Sequence, residues 1–161
     1  MAVRTVVIIC AILIGMSIVA TSFKPELTHA YCRIVWLIGV PCDRVTYAIV
    51  TQIKAMGSYK LLSPPTASLI EANHTSGSGQ YESVNFTMVG TSVGMGCHVE
   101  GLSMSSFWYS LFDNGTNYCN LHNIIEGSGL SKAPGFVDLQ MNGSASELEC
   151  LHANNVILFC F

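Results

Sequence analysis

Six cysteines beyond residue 30 constrain the fold of this 161-residue chain more than any other feature. An even number of cysteines indicates three disulfide bridges if the chain folds in an oxidising compartment. Six cysteines allow 15 pairings. Spacing does not choose among them, although a local bridge between Cys32 and Cys42 is a plausible closure. The six predicted disulfide cysteines are Cys32, Cys42, Cys97, Cys119, Cys150 and Cys160.

Residues 1–22 fit a signal peptide that delivers the chain to such a compartment. Arg4 supplies a positive charge, and residues 6–20 form a 15-residue run without a charge. A helix that crosses a bilayer needs about 20 apolar residues, whereas the apolar part of a signal peptide needs roughly 7 to 15. We therefore expect cleavage after Ser22, with Ala30 as the alternative, and no stable membrane span afterwards. An uncleaved signal anchor is the competing interpretation.

Four sequons agree with secretion. In each, an Asn is followed two residues later by Ser or Thr without an intervening proline, which is the acceptor pattern for N-glycosylation. A chain with nine asparagines and this share of Ser and Thr is expected to contain about one or two such triplets by chance. The sequence thus predicts an extracellular glycoprotein with acceptors at Asn73, Asn85, Asn114 and Asn142.

Two segments have the apolar spacing of amphipathic helices. In residues 41–56, apolar side chains recur every three or four positions from Val45 to Met56, and a proline occupies the first helical position. Residues 118–127 predict a second, shorter helix by the same criterion. Residues 34–40 are β-branched and aromatic, which is more typical of a strand.

Between the helices the periodicity changes to two, as in β-strands. Four runs bounded by turn residues predict an antiparallel meander. In the second run Asn85 alternates with Val84 and Phe86, so we expect its side chain to face away from the core. The four runs cover about residues 67–74, 82–90, 96–103 and 106–112.

The C-terminal part is predicted to contain a strand near residues 136–139, a short helical stretch through Cys150 and a terminal strand over residues 156–161. Residues 23–161 therefore form one predicted α+β domain. In it an N-terminal helix packs on an antiparallel sheet of about four strands. A second short helix and a disulfide-tied C-terminal tail complete the expected fold.

The chemistry-bearing residues form no recognisable catalytic, metal or cofactor motif. Cys119 and His122, with Cys97 and His98, could bind zinc only as reduced thiols, and a secreted cysteine is usually oxidised. The histidines and carboxylates lack any signature around a nucleophile. A net charge of −3 with scattered basic residues gives no stripe for phosphates, so nucleic acid is not an expected partner. We expect no cofactor and no enzymatic activity.

An aromatic cluster surrounds Trp108 and Phe112. Consecutive aromatic side chains on one strand cannot all face one core. Trp108 and Phe112 are therefore either covered by a helix or line an apolar ligand or partner surface. The sequence leaves both alternatives open.

The string from Asp113 to Asn123, DNGTNYCNLHN, followed by EGSGL at residues 126–130, resembles a group of small, secreted, uncharacterised animal proteins. Trp36, the Pro41-Cys42 pair and the QIK stretch of the first helix are similar as well. The resemblance covers most of the mature chain. It implies secretion and carries no activity.

The leading functional hypothesis is a secreted, non-enzymatic binding or interaction protein for an unknown extracellular partner or an apolar ligand. The ligand site would lie between helix 41–56 and the sheet, where small secreted α+β proteins often hold an apolar pocket. A structural or matrix component is the first alternative. A small secreted hydrolase is the second, and it requires a histidine within hydrogen-bond reach of a serine or carboxylate in a cleft.

Overall fold

The computed structural model describes residues 29–77, 79–92, 95–106, 115–139 and 149–150. Within these ranges the chain has the expected α+β class, with two helices and an antiparallel sheet. The predicted signal peptide, Asn114, Asn142, Trp108, Phe112 and Cys160 lie outside the described residues. The described elements are β1 (Tyr31–Ile38), α1 (Cys42–Ala55), β2 (Tyr59–Leu61), β3 (Leu69–Thr75), β4 (Tyr81–Gly90), β5 (Cys97–Ser105), α2 (Thr116–Gly127), a 3₁₀ turn (Leu130–Lys132), β6 (Val137–Asp138) and β7 (Glu149–Cys150).

The strands pair in the order β2-β3-β4-β5-β1-β6, and the two-residue β7 also pairs with β1. Every pairing is antiparallel. The strand β1 thus lies beside β5, because α1 crosses the sheet before β2 begins. The described part of the chain contains no helix long and apolar enough to cross a membrane.

The sheet has a helix-covered face and an opposite face, which we call the outer face. Along β4 the side chains alternate, with Val84, Phe86 and Met88 buried and the residues between them more exposed. Asn85 lies on the outer face, which confirms the predicted alternation of this strand. The apolar set of β4 therefore faces the helices, as period two requires.

The core fills the layer between the helices and the sheet. The apolar stripe of α1 is fully buried at Val45, Ile49 and Ile53. From the sheet side, Trp36 and Phe86 meet with ring centroids 6.4 Å apart. The α2 helix buries Leu121, Ile124 and Ile125 against the same layer. The predicted position of α1 is confirmed to within one residue at each end.

Two features of the sheet differ from the expectation. The sheet is larger than about four strands, since β2 and the β1–β6 pair extend it on both sides. The helical stretch predicted through Cys150 is wrong, because Glu149–Cys150 pairs with β1 as a strand. An edge strand offers unpaired backbone N–H and C=O groups, and pairing with them outweighs a weak local helix preference. The fourth predicted run falls mostly at 107–112, outside the described residues.

The local bridge between Cys32 and Cys42 is also wrong, because Cys42 is bonded to Cys97 with a Cα–Cα distance of 4.9 Å. Cys32 lies near the start of β1 and Cys42 follows its end. A strand rises about 3.3 Å per residue, so the extended β1 separates these two cysteines by roughly 20 Å. The register instead pairs Ile38, the last residue of β1, with Cys97 at the start of β5.

Gly101 lies where the sheet and α2 pack closely together. A Cβ added there would lie 2.8 Å from Trp36 Cζ3 and 3.1 Å from Leu121 Cδ2. We expect Gly101→Ala to lower the free energy of unfolding by about 1 to 3 kcal/mol, since two buried side chains must shift. Urea denaturation measures this. Gly57→Ala is the matched control, because a Cβ there meets nothing within 4 Å. Equal effects of the two substitutions would contradict the packing described.

Candidate functional site

The polar and titratable side chains that could take part in chemistry form one buried group between α2 and the sheet, which we call the polar cluster. It lies at the end of the sheet where β4 and β5 meet the first turns of α2. Hydrogen bonds and a ring contact connect its members into one network. The polar cluster consists of Tyr59, His74, Glu82, Ser103, Ser105, Asn117 and Asn120.

Asn117 anchors the first turn of α2 through its side-chain amide. Its Nδ2 donates to the backbone oxygen of Ala30 at 3.1 Å and to Ser105 Oγ at 3.0 Å. Its Oδ1 accepts from Ser103 Oγ at 2.7 Å. Asn117 is fully buried, so these contacts replace all of its hydration. They fix α2 to both β5 and the residue that precedes β1.

Glu82 is a buried carboxylate held by two side chains. His74 Nδ1 lies 2.6 Å from Glu82 Oε2, and the two side chains are 15% and 5% exposed. Asn120 Nδ2 donates to the same oxygen and to Ser103 Oγ, each at 3.3 Å. Asn120 thereby links the His74–Glu82 pair to the hydrogen bonds of Asn117. A buried carboxylate requires such partners, because its desolvation is costly.

Tyr59, the first residue of β2, lies at the edge of the cluster. Its hydroxyl donates to the backbone oxygen of Asn120 at 3.1 Å, and its ring centroid lies 4.6 Å from that of His74. Burial, followed by the nearby carboxylate of Glu82, raises the pKa of Tyr59 well above its ordinary value. Both causes disfavour the phenolate.

The His74–Glu82 pair has the carboxylate–imidazole arrangement that orients a base in many hydrolases. The serine nearest to it in the network is Ser103, which is fully buried and bonded to Asn117 and Asn120. A serine without solvent access cannot attack a substrate. The hydrogen bonds of the cluster hold α2 against β4, β5 and Ala30.

Sequence reasoning missed the polar cluster, although one signal was present. Asn117 and Asn120 lie three residues apart in α2 and share its buried side with Leu121 and Ile124. An Asn at a core position of a helix requires a buried partner. Both residues belong to the DNGTNYCNLHN string, so its polar character has a structural role in this chain.

The residues considered from the sequence as zinc ligands lie apart from the cluster. Cys97 is bonded to Cys42, and Cys119 is also disulfide-bonded, so neither offers a thiolate to zinc. His122 stacks on Tyr118 with ring centroids 5.3 Å apart. Its Nε2 lies 3.9 Å from Glu126 Oε1 in the next turn. His98 lies on the outer face, opposite Val89 and Leu37.

The outer face carries both apolar and polar side chains, and the apolar ones lie towards one end of its strands. One end carries Leu37, Leu69 and Val89 in two adjacent rows, and we call these three residues the apolar end. Leu69 is 40% exposed and Val89 is 60% exposed. The sequon residues Asn73 and Asn85 lie four positions further along β3 and β4, at roughly 13 Å.

An ion pair crosses the middle of the outer face. Arg33 Nε and Nη2 each donate to a different oxygen of Glu100 at 2.8 Å. The hydrogen bond from Arg33 lowers the pKa of Glu100, against the opposing effect of partial burial. Both side chains are substantially solvated, so the pair contributes little to stability.

Titration of Tyr59 provides a test of the polar cluster. Because the pKa of Tyr59 is raised in the fold, the neutral hydroxyl stabilises the protein below about pH 10, and this stability is lost as pH rises towards the folded pKa. We expect Tyr59→Phe to cost about 0.5 to 1.5 kcal/mol at pH 7 and to flatten the alkaline loss of stability. Denaturation between pH 7 and pH 11 measures both. The exposed Tyr81→Phe is the control, and an identical alkaline profile for the two variants would contradict the placement of Tyr59.

No protein-family model and no curated protein matches the sequence. Among solved structures, the exocytosis-sensitive phosphoprotein pp63/parafusin, a phosphoglucomutase from Paramecium in its open form, is similar at 14% identity and a TM-score of 0.38. The similarity covers 68% of this chain and only 22% of that protein. At that level it carries no argument about fold or function.

Proposed function

We propose that the protein is a secreted, non-enzymatic glycoprotein that binds another extracellular protein through the apolar end of its outer face. The observation that supports this most is the one-sidedness of the sheet. Within the described residues, both helices and the hydrophobic core occupy one face. The other face leaves Leu69 and Val89 exposed, and the half-buried Leu37 lies in the same row as Val89 on the far side of His98.

The composition of the outer face favours a protein partner over a small apolar ligand. Its central rows combine leucine and valine with His98 and the Arg33–Glu100 pair. Protein interfaces have such a mixture of apolar and polar surface, whereas small apolar ligands bind in concave, mostly apolar pockets. An apolar ligand between α1 and the sheet would have to displace Val45, Ile49 and Ile53, which are fully buried there.

Secretion is the second part of the proposal, and the disulfides support it. The Cys42–Cys97 bridge joins the start of α1 to the start of β5, and Cys32 and Cys119 are oxidised as well. Such bridges persist in oxidising compartments and are rare in the cytosol. Asn73 and Asn85 lie on the outer face and outside the hydrophobic core, as glycan acceptors require.

A structural or matrix component is the second candidate. The continuous core between the helices and the sheet favours it, since a purely structural protein needs no pocket. In that case the apolar end would contact other copies of the chain. Sedimentation of the purified protein distinguishes the candidates, because a structural component self-associates and the proposed binding protein stays monomeric without its partner.

Site-specific photo-crosslinking tests the proposed surface. A benzophenone amino acid introduced at Val89 in the secreted protein is illuminated in the presence of the secreting cells and their medium. We expect one discrete adduct, reduced at least tenfold by excess unlabelled protein and by Leu69→Lys, which places a charge in the proposed interface. Tyr81 is the matched position, since it is similarly exposed at 54% on the same strand and face.

The outcomes separate clearly. An adduct from position 89 and none from position 81 supports the apolar end as the binding surface. Equal yields from both positions, or an adduct insensitive to Leu69→Lys, would contradict it. A small apolar molecule co-purifying with the protein in native mass spectrometry would contradict the choice of a protein partner.

A further inference from the structure

We propose that Cys32 forms a disulfide with Cys150, fastening the C-terminal part of the chain to the first strand. Cys32 lies in β1 on the helix-covered face, is 1% exposed, and is disulfide-bonded. The register of β1 and β7 places Cys150 directly opposite Cys32. This pairing is independent of the binding surface proposed above and rests on the proposed function only through the oxidising compartment.

The backbone separation of the two residues suits a bridge. Residues directly opposite in an antiparallel pair have Cα atoms about 4.5 to 5.5 Å apart. A disulfide requires Cα atoms about 4.4 to 6.8 Å apart. The Cys42–Cys97 bridge, with its Cα atoms 4.9 Å apart, lies in the same range. Cys32 and Cys150 can therefore be joined without any movement of the strands.

Cys119 is the competing partner for Cys32, because it is also disulfide-bonded and α2 packs over β1. A helix turns about 100° per residue. Cys119 therefore lies about 180° around the helix from the centre of its buried side, whereas Cys32 lies beneath that side. Cys119 is therefore on the side of α2 that faces away from β1. The buried side is formed by Asn117, Asn120, Leu121, Ile124 and Ile125.

The remaining pair follows by elimination. With Cys42–Cys97 and Cys32–Cys150 assigned, Cys119 is left with Cys160 among the six cysteines beyond residue 30. In each bridge two thiols lose two protons and two electrons as the Sγ–Sγ bond forms. The electrons pass by thiol–disulfide exchange to a disulfide of the oxidising lumen, which is reduced to two thiols.

Peptide mapping of the unreduced, secreted protein tests the pairing. Trypsin cuts after Arg33, and chymotrypsin cuts between Cys150 and Cys160 at Leu151 and Phe159, so the relevant cysteines fall on different peptides. We expect a linked species that contains Cys32 and Cys150 and separates into two peptides on reduction. Linkage of Cys32 to any other cysteine would overturn the assignment.

Two variants provide an independent readout. Alkylation of secreted Cys150→Ser should label Cys32 alone, whereas the matched variant Cys160→Ser should label Cys119 alone. Labelling of Cys119 in Cys150→Ser would overturn the pairing. If a variant fails to fold, the wild-type map still decides. Six alkylated cysteines in the unreduced wild-type chain would instead overturn the oxidising compartment, so that failure is distinguishable from a different pairing.

Discussion

Replacing both Cys42 and Cys97 with alanine lowers the free energy of unfolding by about 4 kcal/mol. The bridge spans 55 residues, and a loop of that length restricts the unfolded chain by roughly this amount. It also ties the start of α1 to the strand that lies beneath it. We expect the double variant to unfold at a markedly lower urea concentration than the wild type.

The slope of the urea transition is the control for this prediction. An uncrosslinked chain exposes more surface when it unfolds, so the dependence of the free energy on urea becomes steeper. A simple packing defect leaves that slope unchanged. A double variant within about 1 kcal/mol of the wild type, with an unchanged slope, would contradict the bridge.

Substituting Asn117→Asp costs about 3 to 5 kcal/mol at pH 7, which is the cost of an uncompensated buried charge. The substitution removes the donor to Ala30 and Ser105 and places a carboxylate oxygen against the backbone oxygen of Ala30. Burial raises the pKa of the new carboxyl above its unfolded value of about 3.9. The Asn117→Asp variant is therefore most stable in acid and loses stability as pH rises through the pKa of the folded carboxyl. Its difference in free energy of unfolding from the wild type grows between pH 4 and pH 7.

Asn123→Asp is the matched control for this second prediction. Asn123 belongs to the same helix but lies away from its buried side. Its substitution is expected to change stability by less than about 0.5 kcal/mol at either pH. Thermal denaturation of both variants at pH 4 and pH 7 measures the difference. Similar melting temperatures for the two variants would contradict the buried position of Asn117.

The sequence predicted those helices and strands whose own residues show a clear apolar periodicity. The α1 helix is confirmed because Pro41 and Gly57 bracket it and its apolar stripe from Val45 to Ile53 repeats at helical spacing. The alternation in β4 is confirmed for the same reason, since one buried face specifies the strand register.

Long-range pairings were not predictable from the sequence. The position of β1 beside β5, the Cys42–Cys97 bridge and the strand at Cys150 depend on contacts between residues 55 or more positions apart. No local period encodes such a register. The short β2 strand was missed because three residues are too few to show alternation.

The polar cluster was missed for a different physical reason. His74 and Glu82 are paired across a hairpin, and Asn120 reaches them from a helix 38 residues further along the chain than Glu82. Each residue alone is an ordinary surface type, and only the fold removes it from water. The spacing of Asn117 and Asn120 was the one local sign of their burial.

The intact mass of the protein recovered from the medium of secreting cells tests the central claim most directly. The sample is alkylated without reduction and its N-glycans are removed enzymatically. A chain that begins at Phe23, carries no alkylated cysteine and shows Asn-to-Asp conversion at its sequons is the predicted result. A chain retained in the cell that begins at Met1, with alkylated cysteines and unmodified asparagines, would contradict it.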